Sequence, residues 1–175
     1  MKKLLCVVLM LCLMMTAALA EETKALTWET VAPLLEAGNV TGQFHTFDEI
    51  SVKIWIPDGM EAVELTEEDK AKGYIGYFRP ADESAQMAVM YVDVKGMSLE
   101  DYAQYLSSEG GAAEVETGTV NGLPCVSYKL PEQDSVSVTF TTEAGYFLEV
   151  TCAPLSQENA ELLWGAVISS IQPAE

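Results

Sequence analysis

Four short segments between residues 113 and 152 set the strongest limit on the fold. AEVETGTV, LPCVSYKL, VSVTFT and YFLEVTC each have the alternating or β-branched character of a strand. Asn121-Gly122, a pair typical of tight hairpin turns, separates the first two, and PEQDS and EAG separate the others. Connections this short join antiparallel neighbours, because a parallel pair needs a crossover of about a dozen residues. We therefore predict an antiparallel meander over this region.

Alternation along the meander predicts one apolar face and the positions of two cysteines. Six residues align on that face: Val126, Tyr128, Val138, Phe140, Leu148 and Val150. Cys152 joins them, whereas Cys125 is predicted to point to the opposite face. An oxidising compartment would permit a disulfide, but thiols on opposite faces of a sheet do not meet. We therefore expect both cysteines to be unpaired.

Helical patterns flank the predicted strands. Residues 28–37, WETVAPLLEA, form a short N-terminal helix, and Ser98 with Asp101 has the spacing of a capping box at the start of a second helix. The last helix has an apolar stripe of Ala160, Leu163, Trp164, Val167, Ile168 and Ile171. Trp164 is therefore predicted to lie in the core. Together these patterns predict an α+β domain, with an antiparallel sheet of about six to eight strands flanked by helices.

The first twenty residues have the composition of a secretory signal peptide. Lys2 and Lys3 precede an apolar run at residues 4–15, and ALA before Glu21 fits a cleavage site after Ala20. The alternative is an uncleaved membrane anchor. No small residue precedes Cys6 or Cys12 as a lipobox requires, so we expect no lipid anchor. No later apolar run approaches the roughly 20 residues of a membrane span, so the mature chain is expected to be secreted or extracytoplasmic.

The charge of the chain is strongly acidic. Nine Lys and Arg stand against 27 Asp and Glu, a formal net charge of −18, and loss of Lys2 and Lys3 leaves −20. Such a surface repels nucleic acid and anionic membranes, so neither is an expected partner. We divide the chain into a signal peptide at 1–20, a leader and short helix at 21–42, and a single α+β domain at 43–175.

The stretch ISVKIWIPDGM raises the question of a binding surface. Ile50, Val52, Ile54 and Ile56 alternate with Ser51, Lys53 and Trp55, which predicts a strand whose wet face carries a tryptophan. If the strand YIGYFR pairs nearby, the candidate partner surface consists of Trp55, Lys53, Tyr74 and Phe78. The alternative is that the N-terminal helix covers this face with Trp28, Val31, Leu34 and Leu35 and buries Trp55.

The order of these segments resembles the PsbP-like fold group. The resemblance rests on ISVKIWIPDGM, GMSLEDYAQYL, VNGLPCVSYKL, YFLEVTCAP and LLWGAVISSIQ, and it covers roughly residues 43–172. The group includes the extrinsic photosystem subunit, the Ran-binding Mog protein of fungi and DcrB-type bacterial envelope lipoproteins. The resemblance implies a sheet flanked by helices and a binding or assembly role without catalysis. It assigns no site residue, and this chain lacks the lipobox cysteine of the lipoprotein members.

The residues that usually carry chemistry are sparse. His45 is the only histidine, and it lies between Phe44 and Phe47, where a packed or rim position is the expected role. One histidine and two separated cysteines predict no transition-metal site, and no glycine-rich phosphate loop indicates a cofactor. Carboxylates are plentiful but fall on predicted turns and helix faces.

These observations favour a non-catalytic binding or accessory module whose partner is an envelope or extracellular protein. Two other functions stay open. A carboxylate-dependent hydrolase acting on cell-envelope polymers would need a cleft with convergent carboxylates. A purely structural domain would show neither a cleft nor an aromatic patch. The sequence does not specify an oligomeric state.

Overall fold

A computed structural model describes residues 25–174, so the predicted signal peptide and its cleavage site after Ala20 lie outside the described residues. The described chain forms four α-helices and eleven strands. The helices are α1 (Trp28–Gly38), α2 (Glu67–Ala71), α3 (Leu99–Ser108) and α4 (Ala160–Ser169). The strands are β1 (Ala25–Leu26), β2 (Gly42–Phe47), β3 (Val52–Pro57), β4 (Glu61–Ala62), β5 (Tyr74–Arg79), β6 (Gln86–Val92), β7 (Ala113–Val120), β8 (Leu123–Leu130), β9 (Ser135–Thr141), β10 (Phe147–Ala153) and β11 (Gln172–Pro173).

The main sheet has eight strands in the order β1-β7-β8-β9-β10-β6-β5-β4. All neighbours are antiparallel except the short parallel edge pair of β1 and β7. The meander β7-β8-β9-β10 follows the chain because each turn is short, and Asn121 and Gly122 form its first turn with positive φ angles of 48° and 80°. The predicted α+β fold class with an antiparallel, helix-flanked sheet is confirmed.

Strands β2 and β3 form a hairpin that belongs to a separate sheet with the order β11-β3-β2. Strand β2 packs against β5 of the main sheet through aromatic side chains. The ring centroid of Phe78 lies 5.2 Å from that of His45 and 6.2 Å from that of Phe47. The last strand, β11, returns to pair with β3, and the Ala174 N–H donates to the Ser51 carbonyl at 2.8 Å. The small sheet therefore joins the C-terminal end of the described chain to the β2-β3 hairpin.

Helix α4 supplies much of the core between the two sheets. Trp164 is 2% exposed, and its Nε1 donates a hydrogen bond to the Pro154 carbonyl at 2.9 Å. The rest of the predicted stripe is buried with it, apart from Leu163, which is half-buried. Val31 and Leu35 of α1 belong to the same core cluster. No helix among residues 25–174 has the length and apolarity needed to cross a membrane.

The predicted register of β8 is wrong by one residue. Cys125 pairs with Phe140, and Phe140 pairs with Leu148, so Cys125 lies on the face predicted to lack it. The apolar pattern could not separate the two registers, because both faces of β8 carry buried side chains. Cys125 packs in the main core, whereas Val126 and Tyr128 pack under α3. A one-residue shift exchanges the faces of a strand.

The two cysteines are free although they share a face. Cys152 pairs with Val136, whereas Cys125 pairs with Phe140, four residues further along β9. Four residues of strand correspond to about 13 Å, well beyond the roughly 7 Å limit between the Cα atoms of a disulfide. Distance along the sheet, and not opposite orientation, is what separates them.

Candidate functional site

The four residues of the predicted partner surface do not form one exposed surface. Trp55 is 6% exposed and Phe78 is 4% exposed, whereas Lys53 and Tyr74 are half-buried. The structure has the alternative arrangement, in which the N-terminal helix covers Trp55. Trp28 at the start of α1 lies 5.9 Å from Trp55 between ring centroids. Of the two arrangements weighed from the sequence, the structure has the one in which the N-terminal helix provides a second layer over this face, so Trp55 is a core residue and not part of an exposed partner surface.

Two further contacts fix the position of Trp55. Its backbone N–H donates to Ser170 Oγ at 2.8 Å, immediately after α4. Its ring lies over Gly42, where a Cβ atom would come within 2.5 Å of the Trp55 ring atoms Cε2 and Cζ2. Glycine at this position permits the close approach of the ring to β2.

Tyr74 and Phe78 lie on opposite faces of β5 because of a β-bulge. Tyr74 pairs with Met90 and Phe78 with Met87, and the register shifts between Tyr74 and Gly76. An extra residue in one strand reverses the alternation beyond it. Phe78 therefore points into the core, and the predicted common face of the two aromatic residues is wrong.

The exposed aromatic residue on the predicted wet face is Phe44, which pairs with Trp55 across the hairpin. Phe44 is 41% exposed, and the Trp28 ring packs edge-on against it with 5.4 Å between centroids. Lys53 Nζ lies 5.6 Å from the centroid of the Phe44 ring. We call Trp28, Phe44 and Lys53 the Phe44 surface. Sequence reasoning missed Phe44, although its cross-strand position relative to Trp55 was a usable signal.

A shallow groove of about 340 Å³ lies on the outer face of β5 beside α2. Tyr74, Tyr77 and Arg79 line it, so Tyr74 belongs to this groove and not to the Phe44 surface. Asp69 also lines the groove, but its Oδ2 accepts hydrogen bonds from the Thr66 hydroxyl and the Thr66 N–H, which lower its pKa.

A polar cluster on the α3-covered face of the sheet was also missed. Oε2 of Glu149 accepts hydrogen bonds from the hydroxyls of Tyr128 at 2.7 Å, Tyr102 at 3.0 Å and Thr139 at 3.0 Å. The two tyrosine hydroxyls lie 3.1 Å apart. Burial, reinforced by the Glu149 carboxylate, raises the pKa of Tyr102 to about 12 and also raises that of Tyr128. The cluster ties α3 to strands β8, β9 and β10.

His45 lies at the rim of the interface between the sheets. It is exposed, and its ring packs edge-on against Phe47 and Phe78 with centroid distances of 4.9 Å and 5.2 Å. Among residues 25–174, no group of three or more His, Cys, Asp or Glu is placed to hold a metal ion.

No protein-family profile matches the chain, and no curated protein sequence matches it. Solved structures do match. The solution structure of cyanobacterial PsbP (CyanoP) from Synechocystis matches with a TM-score of 0.55 and 13% identity, over 75% of this chain and 91% of that protein.

Two further structures match with TM-scores below 0.5. The Ran-binding protein Mog1p of Saccharomyces cerevisiae gives 0.45 with 11% identity, over 78% of this chain and 97% of that one. A protein of Bacteroides thetaiotaomicron gives 0.47 with 14% identity, over 77% of this chain and 49% of that one. At such low identity a structural match establishes the fold and not the activity. The match to cyanobacterial PsbP shows that this chain has the PsbP-like fold.

Proposed function

We propose that this protein is an extracytoplasmic, non-catalytic binding module that docks an envelope or extracellular protein through the Phe44 surface. The observation that carries the proposal is Phe44 itself. It is 41% exposed on a strand, yet its ring is held in place by Trp28. Aromatic residues dominate the energetics of protein–protein contacts when they are large, rigid and able to enter a partner's pocket.

The packing behind Phe44 reduces the entropic cost of binding. Trp28 contacts both Phe44 and the buried Trp55. The exposed Phe44 ring is therefore connected to the core through a chain of aromatic contacts. A side chain already restricted in the free protein loses less rotamer freedom on association, a saving of about 0.5–1.5 kcal/mol per side chain. Lys53, beside the ring, adds a charge that selects among partners.

Binding should depend on Phe44 and not on exposed apolar side chains elsewhere. We expect Phe44→Ala to weaken partner capture from native envelope extract at least about tenfold, which corresponds to loss of a contact worth about 1.4 kcal/mol or more. The matched control is Tyr105→Ala, because Tyr105 is 49% exposed but lies on α3. The measurement is quantitative pull-down with the purified, tagged protein and both variants.

The three baits give distinguishable results. A protein captured by the wild type and by Tyr105→Ala, but not by Phe44→Ala, supports the proposal. Equal capture by all three baits contradicts the assignment of the site. Hydrolysis of envelope polymer by the wild-type protein in the same extract would contradict the non-catalytic function.

The proposed location is supported by the leader composition and by the acidic charge of the remaining chain. We expect the protein recovered from its native host outside the cytoplasm to begin at Glu21, as determined by N-terminal sequencing. An N-terminus at Met1 in that material would contradict cleavage after Ala20.

A further inference from the structure

Strand β2 is an open edge of the small sheet. The order β11-β3-β2 gives it a single strand neighbour within the described chain. Four successive residues, 43–46, are exposed, although β3 beside them is mostly buried. An edge strand presents unpaired backbone groups, which form a template for another strand.

Three observations identify the backbone groups of β2 that point away from β3. The Trp55 N–H donates to Ser170 Oγ, on the side of β3 remote from β2. Position 57 is a proline and has no N–H to offer. The Asp58 N–H donates to the Thr41 carbonyl at 2.9 Å, which continues the ladder of even-numbered residues one position beyond the end of β3.

The inward hydrogen bonds of β2 therefore belong to Gln43, His45 and Phe47, which pair with Ile56, Ile54 and Val52. Antiparallel ladders alternate between residues that bond inward and residues whose N–H and C=O face the other side. Phe44 and Thr46 are the outward residues. Their backbone groups face the open edge, and Phe44, one of the two, also carries the exposed ring.

We propose that the partner docks by adding an extended segment to the free edge of β2, with backbone hydrogen bonds to Phe44 and Thr46. This inference rests on the proposed function and specifies how the Phe44 surface is used. The added strand supplies main-chain hydrogen bonds for affinity, and its alternate side chains supply specificity. One of those side chains lies next to Phe44 and should be apolar.

The charge at both ends of the edge specifies the rest of the segment. Asp48 and Glu49 follow β2 directly and are exposed. Asp58 is exposed at the other end, where its N–H bonds to Thr41. The whole chain carries a net charge of −18, so a second copy of itself is repelled. The segment that fits has an apolar residue in its centre and Lys or Arg towards its ends.

Thr46→Pro is the decisive variant. Proline removes the outward N–H of residue 46 and leaves the inward ladder intact, and edge strands accept proline where the N–H faces solvent. Thr46→Ala is the matched control, because it removes the hydroxyl but keeps the N–H. Both variants should keep the far-ultraviolet circular dichroism spectrum of the wild-type protein.

The probe is a phage-displayed library of random decapeptides, panned against the purified full chain. We expect enriched peptides with alternating apolar residues and basic ends. Synthetic copies should bind Thr46→Pro at least about tenfold more weakly than the wild type, because hydrogen bonding and strand alignment are lost together. Thr46→Ala should bind as the wild type does. Acidic ends on the enriched peptides would overturn the charge assignment.

The two proposals fail in different ways. Peptides that lose binding to Phe44→Ala but bind Thr46→Pro normally would overturn strand addition and leave the Phe44 surface in place. Peptides that bind both variants normally, or a library without enrichment, would overturn strand addition, and the pull-down with Phe44→Ala then tests the Phe44 surface by itself. If Thr46→Pro does not fold, amide hydrogen exchange decides. The Phe44 and Thr46 amides should exchange rapidly in the free protein and become protected in the complex, and their continued rapid exchange would overturn strand addition.

Discussion

Replacing Trp164 by alanine should lower the free energy of unfolding by about 3–5 kcal/mol, the range for a buried Phe or Trp truncated to Ala. Trp164 is 2% exposed and belongs to the core that α4 shares with both sheets. The change removes a large side chain from this core and leaves the Pro154 carbonyl without the hydrogen bond from Trp164 Nε1. Urea unfolding followed by circular dichroism measures the loss.

Leu163→Ala is the control for that prediction. Leu163 precedes Trp164 on the same helix but is only half-buried. Its truncation should therefore cost clearly less than that of Trp164, because the transfer and cavity terms both scale with what is buried. Equal costs for the two variants, or a cost for Trp164→Ala within about 0.5 kcal/mol of zero as for surface residues, would contradict the docking of α4.

Replacing Glu149 by alanine should cost about 2–4 kcal/mol, because one carboxylate oxygen accepts three hydrogen bonds. The change leaves the hydroxyls of Tyr102, Tyr128 and Thr139 without that acceptor. Hydrogen bonds to a charged group contribute about 1.5–3 kcal/mol each, but the bonds within one network are not additive. We expect α3 to detach first, which amide exchange along residues 99–108 would report.

Tyr102→Phe separates the cluster from the general packing of α3. It keeps the ring, which lies 5.1 Å from Phe147 between centroids, and removes only the hydroxyl. The double variant Tyr102→Phe, Glu149→Ala should be less destabilised than the sum of the single changes, since the shared bond is lost once. Strict additivity, or a Glu149→Ala cost like that of an exposed glutamate, would contradict the network.

The same cluster predicts loss of stability in alkaline solution. The folded state raises the pKa of Tyr102 from its usual value of 10.0 to about 12, so it favours the neutral hydroxyl. This contribution is fully present below pH 10 and is lost as the pH rises through about 12. In the Glu149→Ala protein the loss of stability between pH 10 and pH 12 should be smaller, because the carboxylate no longer helps to raise the pKa of Tyr102.

The parts of the fold that could be predicted from sequence are those set by local chemistry. Asn121-Gly122 specifies a hairpin turn whatever surrounds it, and the stripe on α4 follows from helical periodicity. The register of β8 could not be predicted in this way. Its apolar residues Val126 and Tyr128 pack under α3, whereas the face that carries Cys125 and Ser127 joins the main core, so the apolar pattern pointed to the wrong layer.

The candidate surface failed for two physical reasons. A bulge at Tyr74 reversed the expected face of Phe78, and no residue in YIGYFR marks the bulge other than a glycine. Trp55 is buried because α1 covers it; helical periodicity offered this arrangement as an alternative, but only the tertiary contact between Trp28 and Trp55 decides between the two. The Glu149 cluster joins a helix and three strands, so its members are distant in sequence. The only local sign of the cluster in the sequence was the charged residue Glu149 inside the mostly apolar strand β10.

Site-specific photo-crosslinking in the native host shows directly whether Phe44 contacts a partner protein. A photoreactive amino acid replaces Phe44 in one strain and Tyr105 in another, since both positions are exposed and lie on different elements. We expect position 44 to crosslink to one envelope or extracellular protein, through a segment with basic residues, and position 105 not to crosslink to it. Crosslinking of the same protein from position 105 alone would contradict this expectation, as would no crosslink from position 44.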